Sequence, residues 1–136
     1  MATFQLEFVS PEKLLLSRPV DMAVLPAAEG EMGVLPGHSP MIVALRGGVI
    51  TVREGGAETE RLFVPGGFAE VTPTRVTILA DEAIPVDQIS RADAEQRIAT
   101  CEKALAELAD APTETRDAAM TRLLSARAML AAAQAA

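Results

Sequence analysis

The residues that could carry out chemistry in this chain are few, and they do not form a recognisable catalytic constellation. His38 is the only histidine, Ser39 follows it directly, and Cys101 is the only cysteine. Members of a catalytic triad meet through the fold, so the adjacent His-Ser pair does not indicate an activated nucleophile. A lone histidine in a turn more often packs or hydrogen-bonds than ligates a metal, and a serine before Pro40 is typical of a turn.

Phosphate, metal and cofactor sites are not indicated either. Gly30, Gly33 and Gly37 form a glycine-rich stretch, but no lysine or helix start follows it, as a phosphate cradle requires. A single cysteine excludes an internal disulfide and a multi-cysteine metal site. Its position in a helical pattern favours a small apolar core side chain. The sequence predicts a protein that is not an enzyme, with no catalytic residue, metal ligand or cofactor.

The composition excludes several classes of partner. The 136 residues are 49% hydrophobic and carry a net charge of −7, with four Phe and no Trp or Tyr. Negative charge opposes binding to nucleic acid and to anionic lipid. The first residues do not resemble a signal peptide, and no apolar run approaches the roughly 18 residues of a membrane span. We expect any membrane association to come only through a partner.

Turn-forming residues divide the chain into two halves. All nine glycines lie before residue 68, and eight of nine prolines lie before residue 86. Short runs between these turns predict a β-sandwich or flattened barrel over residues 1–87. We expect residues 30–40 to form tight turns that present Glu31 and His38, and residues 41–45 to form a buried strand. The other expected strands are 4–8, 20–25, 49–53, 61–64, 68–72 and 75–79.

The second half, residues 88–136, predicts an antiparallel α-helical hairpin. Ser90 to Asp93 fits a capping box, and Pro112 with Thr113 ends the first helix and caps the second. The second helix is rich in alanine, so its seam buries little apolar area at roughly 25 cal/mol per Å². We expect the hairpin to lean on the sandwich or on a partner. The expected apolar positions are Ala94, Ile98, Cys101, Leu105 and Leu108, then Met120, Leu123, Leu124 and Leu130.

Two blocks carry a family resemblance. Gly30 to Gly48 reads GEMGVLPGHSPMIVALRGG, and Phe63 to Ile89 reads FVPGGFAEVTPTRVTILADEAIPVDQI. Together with the opening strand, they make the chain similar to the epsilon subunit of the F-type ATP synthase over nearly its full length. The resemblance implies a non-catalytic central-stalk rotor subunit that couples proton flow through the c ring to ATP synthesis in the catalytic head.

The resemblance also implies partners and contact residues. The partners are the gamma subunit, the c-subunit ring and, through the helical hairpin, the alpha and beta subunits of the head. The resemblance implies that the protein lies at the cytoplasmic face of the bacterial inner membrane, as a peripheral part of the synthase. An acidic residue of the family's Gly-Glu turn meets the c ring, and here it is Glu31. The interface candidates are Glu31, Met32, His38, Ser39 and Pro40.

Two features of this chain depart from the family pattern. Members that bind ATP have an acid three residues before an Arg-Ala pair, and this chain has Arg91-Ala92 but Gln88 in place of the acid. We therefore expect weak or absent ATP binding. The second helix carries three arginines against Glu114 and Asp117. This weakly basic face predicts mild inhibition of ATP hydrolysis at most.

Two other functions are compatible with the residues alone. The chain could be a free-standing β-sandwich adaptor with a helical tail, which co-purification with gamma would distinguish. It could also be a small metal- or ligand-dependent enzyme that uses His38, and replacing His38 by alanine would then abolish its activity.

Overall fold

A computed structural model of the chain describes residues 2–135 and shows ten strands followed by two helices. A short 3₁₀ turn, Val86–Gln88, connects the two parts. The predicted β-sandwich with a C-terminal helical hairpin is confirmed. The strands are β1 Phe4–Val9, β2 Leu14–Val20, β3 Met22–Ala27, β4 Gly30–Val34, β5 Met41–Leu45, β6 Gly48–Glu54, β7 Ala57–Val64, β8 Gly67–Val71, β9 Arg75–Leu79 and β10 Ile84–Pro85. The helices are α1 Arg91–Ala106 and α2 Thr113–Ala135.

The strands form two layers that share one continuous hydrogen-bonded path. One layer has the order β10-β7-β6-β3, with β4 pairing the free side of β3, and the other has the order β5-β8-β9-β1-β2. A single residue pair, Ala27 with Leu45, joins them at a corner. The β1–β9 pair is parallel, whereas the other pairs are antiparallel. The β6–β7 hairpin turns at Gly55 and Gly56, whose φ angles of 63° and 82° are those of a two-residue turn that favours glycine.

The space between the layers is filled by aliphatic side chains and two phenylalanines. Phe4 and Phe8 are buried there together with Leu6, Leu25 and Ile50. Alternate residues of β1 point inward, so the strand has the half-buried pattern expected of a sandwich. With few aromatic residues available, the core depends on close packing of Val, Leu and Ile.

The segment from Gly30 to Pro40 differs from the predicted run of turns. Gly30–Val34 is strand β4, which pairs with β3 through Leu25–Met32 and Pro26–Glu31. The turn itself is limited to residues 28–29 and to residues 36–37. The glycines of this segment disfavour a strand locally, but pairing with β3 supplies the backbone hydrogen bonds that decide the outcome.

Strand β5 is also less buried than predicted. Val43 and Leu45 point into the core, while Met41, Ile42 and Ala44 are exposed. A continuous apolar run does not distinguish a strand buried on both faces from one whose outer face is apolar.

The helical hairpin begins as predicted, with the Ser90 hydroxyl accepting a hydrogen bond from the Asp93 amide at 3.2 Å. Its other details differ. Leu108 lies in the turn after α1, and Thr113 is the first residue of α2, because the Pro112 carbonyl already accepts the first hydrogen bonds of that helix. Met120 and Leu124 are exposed, and Ala119, Ala126 and Met129 take the buried positions beside Leu123.

Candidate functional site

The outer face of the layer β5-β8-β9-β1-β2 carries a row of apolar side chains. Residues paired across neighbouring strands point to the same face. Ala44 pairs with Phe68, and Phe68 pairs with Leu79. Leu79 pairs with Val9, and Val9 pairs with Leu14. These five residues, hereafter the outer apolar row, cross all five strands of the layer.

Much of the outer apolar row is open to solvent. Phe68 is 54% exposed, Leu79 is 45% exposed and Leu14 is 54% exposed. Ile42, in the next row along β5, is 75% exposed and lies opposite Glu70. Large apolar side chains that remain exposed and contiguous are characteristic of a surface that binds a protein partner.

Polar groups border this surface, as at the rim of an interface. The row beyond Ile42 continues through Glu70 and Thr77 to Glu7. Glu7 pairs with Arg75 at 3.2 Å between Oε1 and Nε. The arrangement gives an apolar band flanked by charged side chains, which favours binding to another protein rather than to a small molecule.

The predicted contact residues of the 36–40 segment lie at one end of the sandwich. The Gly37 amide donates to the Pro73 carbonyl at 2.8 Å, which fixes the segment against the β8–β9 turn. His38 is half-buried, and its Nδ1 lies 2.8 Å from the carbonyl oxygen of Ser39. Ser39 and Pro40 are exposed and lead directly into β5. The segment is therefore continuous with Ile42 and with the outer face of the layer.

Glu31 and Met32 lie elsewhere, on β4. Glu31 is exposed, whereas Met32 packs against the core and is only half-buried. Glu31 is the second residue of β4, and His38 lies four residues beyond its end. The prediction that tight turns present both Glu31 and His38 is therefore wrong for Glu31, which lies within a strand.

A cleft of about 950 Å³ separates the sandwich from part of the hairpin. The sandwich side includes Val9, Phe68 and Leu79, three members of the outer apolar row. The hairpin side includes Arg97 and Cys101. Cys101 is therefore a half-buried cleft residue rather than a core residue. The outer apolar row thus runs from the open face of the sandwich into the cleft.

One ion pair connects α1 to the sandwich beside the cleft. Arg97 Nη1 donates to Glu82 Oε1 at 2.7 Å. The hydrogen bond to Glu82 is the main reason that the pKa of Arg97 is raised. Both side chains are more than one third exposed, and such pairs contribute about 0–1 kcal/mol.

The residues of the nucleotide motif do not form an enclosed site. Gln88 closes the 3₁₀ turn, and Arg91 and Ala92 are exposed in the first turn of α1. Gln88 borders a depression of about 490 Å³ that also contains Glu58 and Glu60. Glu60 is paired with Arg18 and Glu58 lies 3.6 Å from Arg53, so the charge of both carboxylates is largely compensated. Weak or absent ATP binding stays a prediction that rests on Gln88.

Titration calorimetry with ATP is expected to give no stoichiometric heat. The physical reason is that Gln88 offers no carboxylate acceptor for the hydroxyl or amine groups of the nucleotide. Gln88→Asp restores an acid at the family position and is the matched variant. Tight one-to-one binding by the unaltered chain would contradict the expectation.

Within residues 2–135, no three His, Cys, Asp or Glu side chains are grouped closely enough to hold a metal ion. Neither of the two described helices has the length and hydropathy required to cross a membrane.

Comparison with known proteins gives a consistent result over the whole chain. The family of ATP synthase delta/epsilon chain beta-sandwich domains matches residues 3–86. An ATP synthase epsilon chain of Granulibacter bethesdensis is 57% identical over 98% of this chain and 99% of its own length. That of Gluconacetobacter diazotrophicus is 43% identical over 98% of this chain and 94% of its own length.

Solved structures show the same architecture. A chain in the Euglena gracilis mitochondrial ATP synthase, solved as OSCP/F1/c-ring, has a TM-score of 0.75 and 27% identity. The match covers 97% of this chain and 82% of that one. A chain in the central stalk/c-ring structure of the Tetrahymena thermophila enzyme has a TM-score of 0.67, with 97% of both chains covered. At 12% identity, this second match supports the fold alone.

Proposed function

This chain belongs to the family of ATP synthase epsilon chains, a non-catalytic subunit of that complex, and we propose that it acts in the rotor of the central stalk. In this role it couples proton flow through the c ring to ATP synthesis in the catalytic head. The single observation that carries the proposal is the outer apolar row, which provides a rigid surface for binding the gamma subunit. Torque is transmitted by shape and a few charges, without covalent chemistry.

The proposed gamma-binding surface combines the outer apolar row with the adjoining 36–40 segment. Phe68 and Leu79 supply exposed apolar area, and Ile42 extends it towards Pro40. A few well-packed side chains near the centre of an interface contribute most of its binding energy. His38 and Ser39 lie at the margin of this surface, where half-buried and exposed polar groups give orientation rather than affinity.

The proposed c-ring contact uses the β3–β4 hairpin. Glu31 is exposed on β4, and Glu29 is exposed in the adjacent turn, so the two carboxylates give this edge a negative charge. Basic and polar loops of a c ring would complement it. Met32 contributes indirectly by packing β4 against the core, so that the hairpin is held rigid.

The proposed location follows from the assembly. A subunit bound to gamma and the c ring lies at the cytoplasmic face of a bacterial inner membrane and reaches the membrane only through those partners. The resemblance to bacterial relatives supports this place. The adaptor and enzyme alternatives are set aside, because the full-length relatives are named as epsilon chains.

The helical hairpin is proposed to inhibit ATP hydrolysis only weakly. Of the three arginines on α2, Arg127 lies 3.8 Å from Glu102 of α1, which leaves Arg116 and Arg122 for the head. Deleting residues 90–136 is expected to leave assembly intact and to change ATPase activity less than about twofold, since isolated surface charges contribute little. Activity would be measured on the reconstituted complex with and without the deletion. Activation of tenfold or more would refute weak inhibition.

The experiment that tests the rotor function is a pull-down of this chain with gamma, followed by ATPase measurement with and without the chain. Stoichiometric recovery with gamma and the head supports the proposal. Recovery of the chain alone, or turnover of a substrate by the purified chain, would overturn it.

A further inference from the structure

The strand residues on the outer face of the layer β5-β8-β9-β1-β2 include two carboxylates, and the chain supplies a cation for one of them. Glu7 and Glu70 lie in the same row, separated by Thr77. The Glu7 carboxylate is paired with Arg75 at 3.2 Å. Among residues 2–135, by contrast, no Lys or Arg nitrogen lies within 4.0 Å of the Glu70 carboxylate. The charge of Glu70 therefore depends on water for its stabilisation.

Glu70 lies between apolar side chains that a bound protein would cover. On the neighbouring strand it pairs with Ile42, which is 75% exposed. On its own strand, Phe68 lies two residues earlier, faces the same side and is 54% exposed. Glu70 is itself exposed. A partner that covers both Ile42 and Phe68 therefore also covers Glu70 and displaces its water.

The loss of this water determines what the partner has to carry. An ionised carboxylate is strongly disfavoured in an interface that excludes water, unless a cation replaces the lost hydration. An unpaired Glu70 would offset the apolar contacts of Ile42 and Phe68. The same face already contains the favourable arrangement, in which the Arg75 guanidinium lies against the Glu7 carboxylate.

We propose that Glu70 determines the orientation in which gamma binds, by pairing with a lysine or arginine of gamma. The strand fixes the position of that cation, because Glu70 is two residues, or about 7 Å, from Phe68 along β8. Contacts along the outer apolar row are non-directional, whereas a charge pair at a fixed position distinguishes one orientation from the others. This inference rests on the rotor function proposed above and names the chemistry that gamma presents to this surface.

The test compares the Kd of gamma for the full chain and for three single variants, at constant salt. Glu70→Gln removes the charge and keeps the shape of the side chain, and we expect it to weaken binding roughly 10-fold or more. Glu70→Lys places a cation against the cation of gamma and should weaken binding roughly 100-fold or more. Glu95→Lys is the matched control, because Glu95 is exposed on α1 and the net charge changes equally. It should change the Kd less than about threefold.

The sign of the Glu70→Gln effect separates the environments that this side chain can have in the complex. Weaker binding supports a cation from gamma. Tighter binding would mean that the carboxylate is buried without a partner, and an unchanged Kd would mean that it stays in water, so either result overturns the proposal. Equal losses in Glu70→Lys and Glu95→Lys would also overturn it, because net charge alone would then account for the change.

Failure of this inference is distinguishable from failure of the proposed function. If the unaltered chain does not bind gamma, the rotor function is wrong. If Phe68→Asp weakens binding and Glu70→Gln does not, gamma covers the outer apolar row without pairing with Glu70. The urea midpoint of each Glu70 variant should equal that of the unaltered chain, because substitutions of exposed side chains have little effect on stability.

Discussion

Replacing Phe68 by aspartate is expected to weaken the binding of this chain to gamma by roughly 30-fold or more, about 2 kcal/mol. Phe68 is the largest side chain of the outer apolar row and lies between Ala44 and Leu79. In a complex, the new carboxylate would be buried without a partner, and the apolar area of the ring would be lost. Titration of labelled chain with gamma, at constant salt, measures the change in Kd.

The control for this variant is Leu124→Asp on α2. Leu124 and Phe68 are both 54% exposed, so the two substitutions change surface hydrophobicity in isolated chains comparably. Only Phe68 belongs to the proposed gamma-binding surface. Equal loss of affinity in the two variants, or no loss in Phe68→Asp, would show that gamma binds elsewhere.

Replacing Phe63 by alanine is expected to lower the free energy of unfolding by about 3–5 kcal/mol. Phe63 is 1% exposed and is the one aromatic side chain in the cluster between the sandwich and the hairpin. Its removal leaves a cavity bordered by α2 and β6, where the fixed strands allow little collapse. Denaturant unfolding followed by circular dichroism gives the change.

Phe68→Ala provides the comparison, because the same atoms are removed from an exposed site. We expect it to cost less than about 1 kcal/mol. The contrast tests whether burial, rather than aromatic content, determines stability in a chain with only four phenylalanines. A similar loss in both variants would mean that the outer apolar row already packs against something in the isolated chain.

Some elements of the fold are set by local signals. The Gly55-Gly56 turn requires two left-handed backbone angles, which few other residue pairs accept. The Ser90 hydroxyl caps α1 through an amide only three residues away. Both depend on neighbours in the chain, so they can be recognised without knowledge of the fold.

Strand β4 illustrates what local signals cannot give. Gly30 and Gly33 indicate turns, yet hydrogen bonds from β3 convert the segment into a strand. The outer apolar row is a stronger case, since Leu79 pairs with Phe68 on one side and, on the other, with Val9, which lies 70 residues earlier in the chain. Taken alone, each of these residues is an ordinary apolar residue of a β-strand. Only the strand register shows that the three side chains lie on the same solvent-facing side of the sheet.

The succession of a β part and a helical part, the Ser90 cap of α1 and the scarcity of reactive groups were already decided by the sequence, because they depend on composition and on short-range backbone chemistry. The place where a partner can bind and the position of the hairpin were decided only by tertiary structure. Strand register selects which apolar side chains face outward. The missing side chain of Gly47 matters only because Ser125, 78 residues later, packs directly against it.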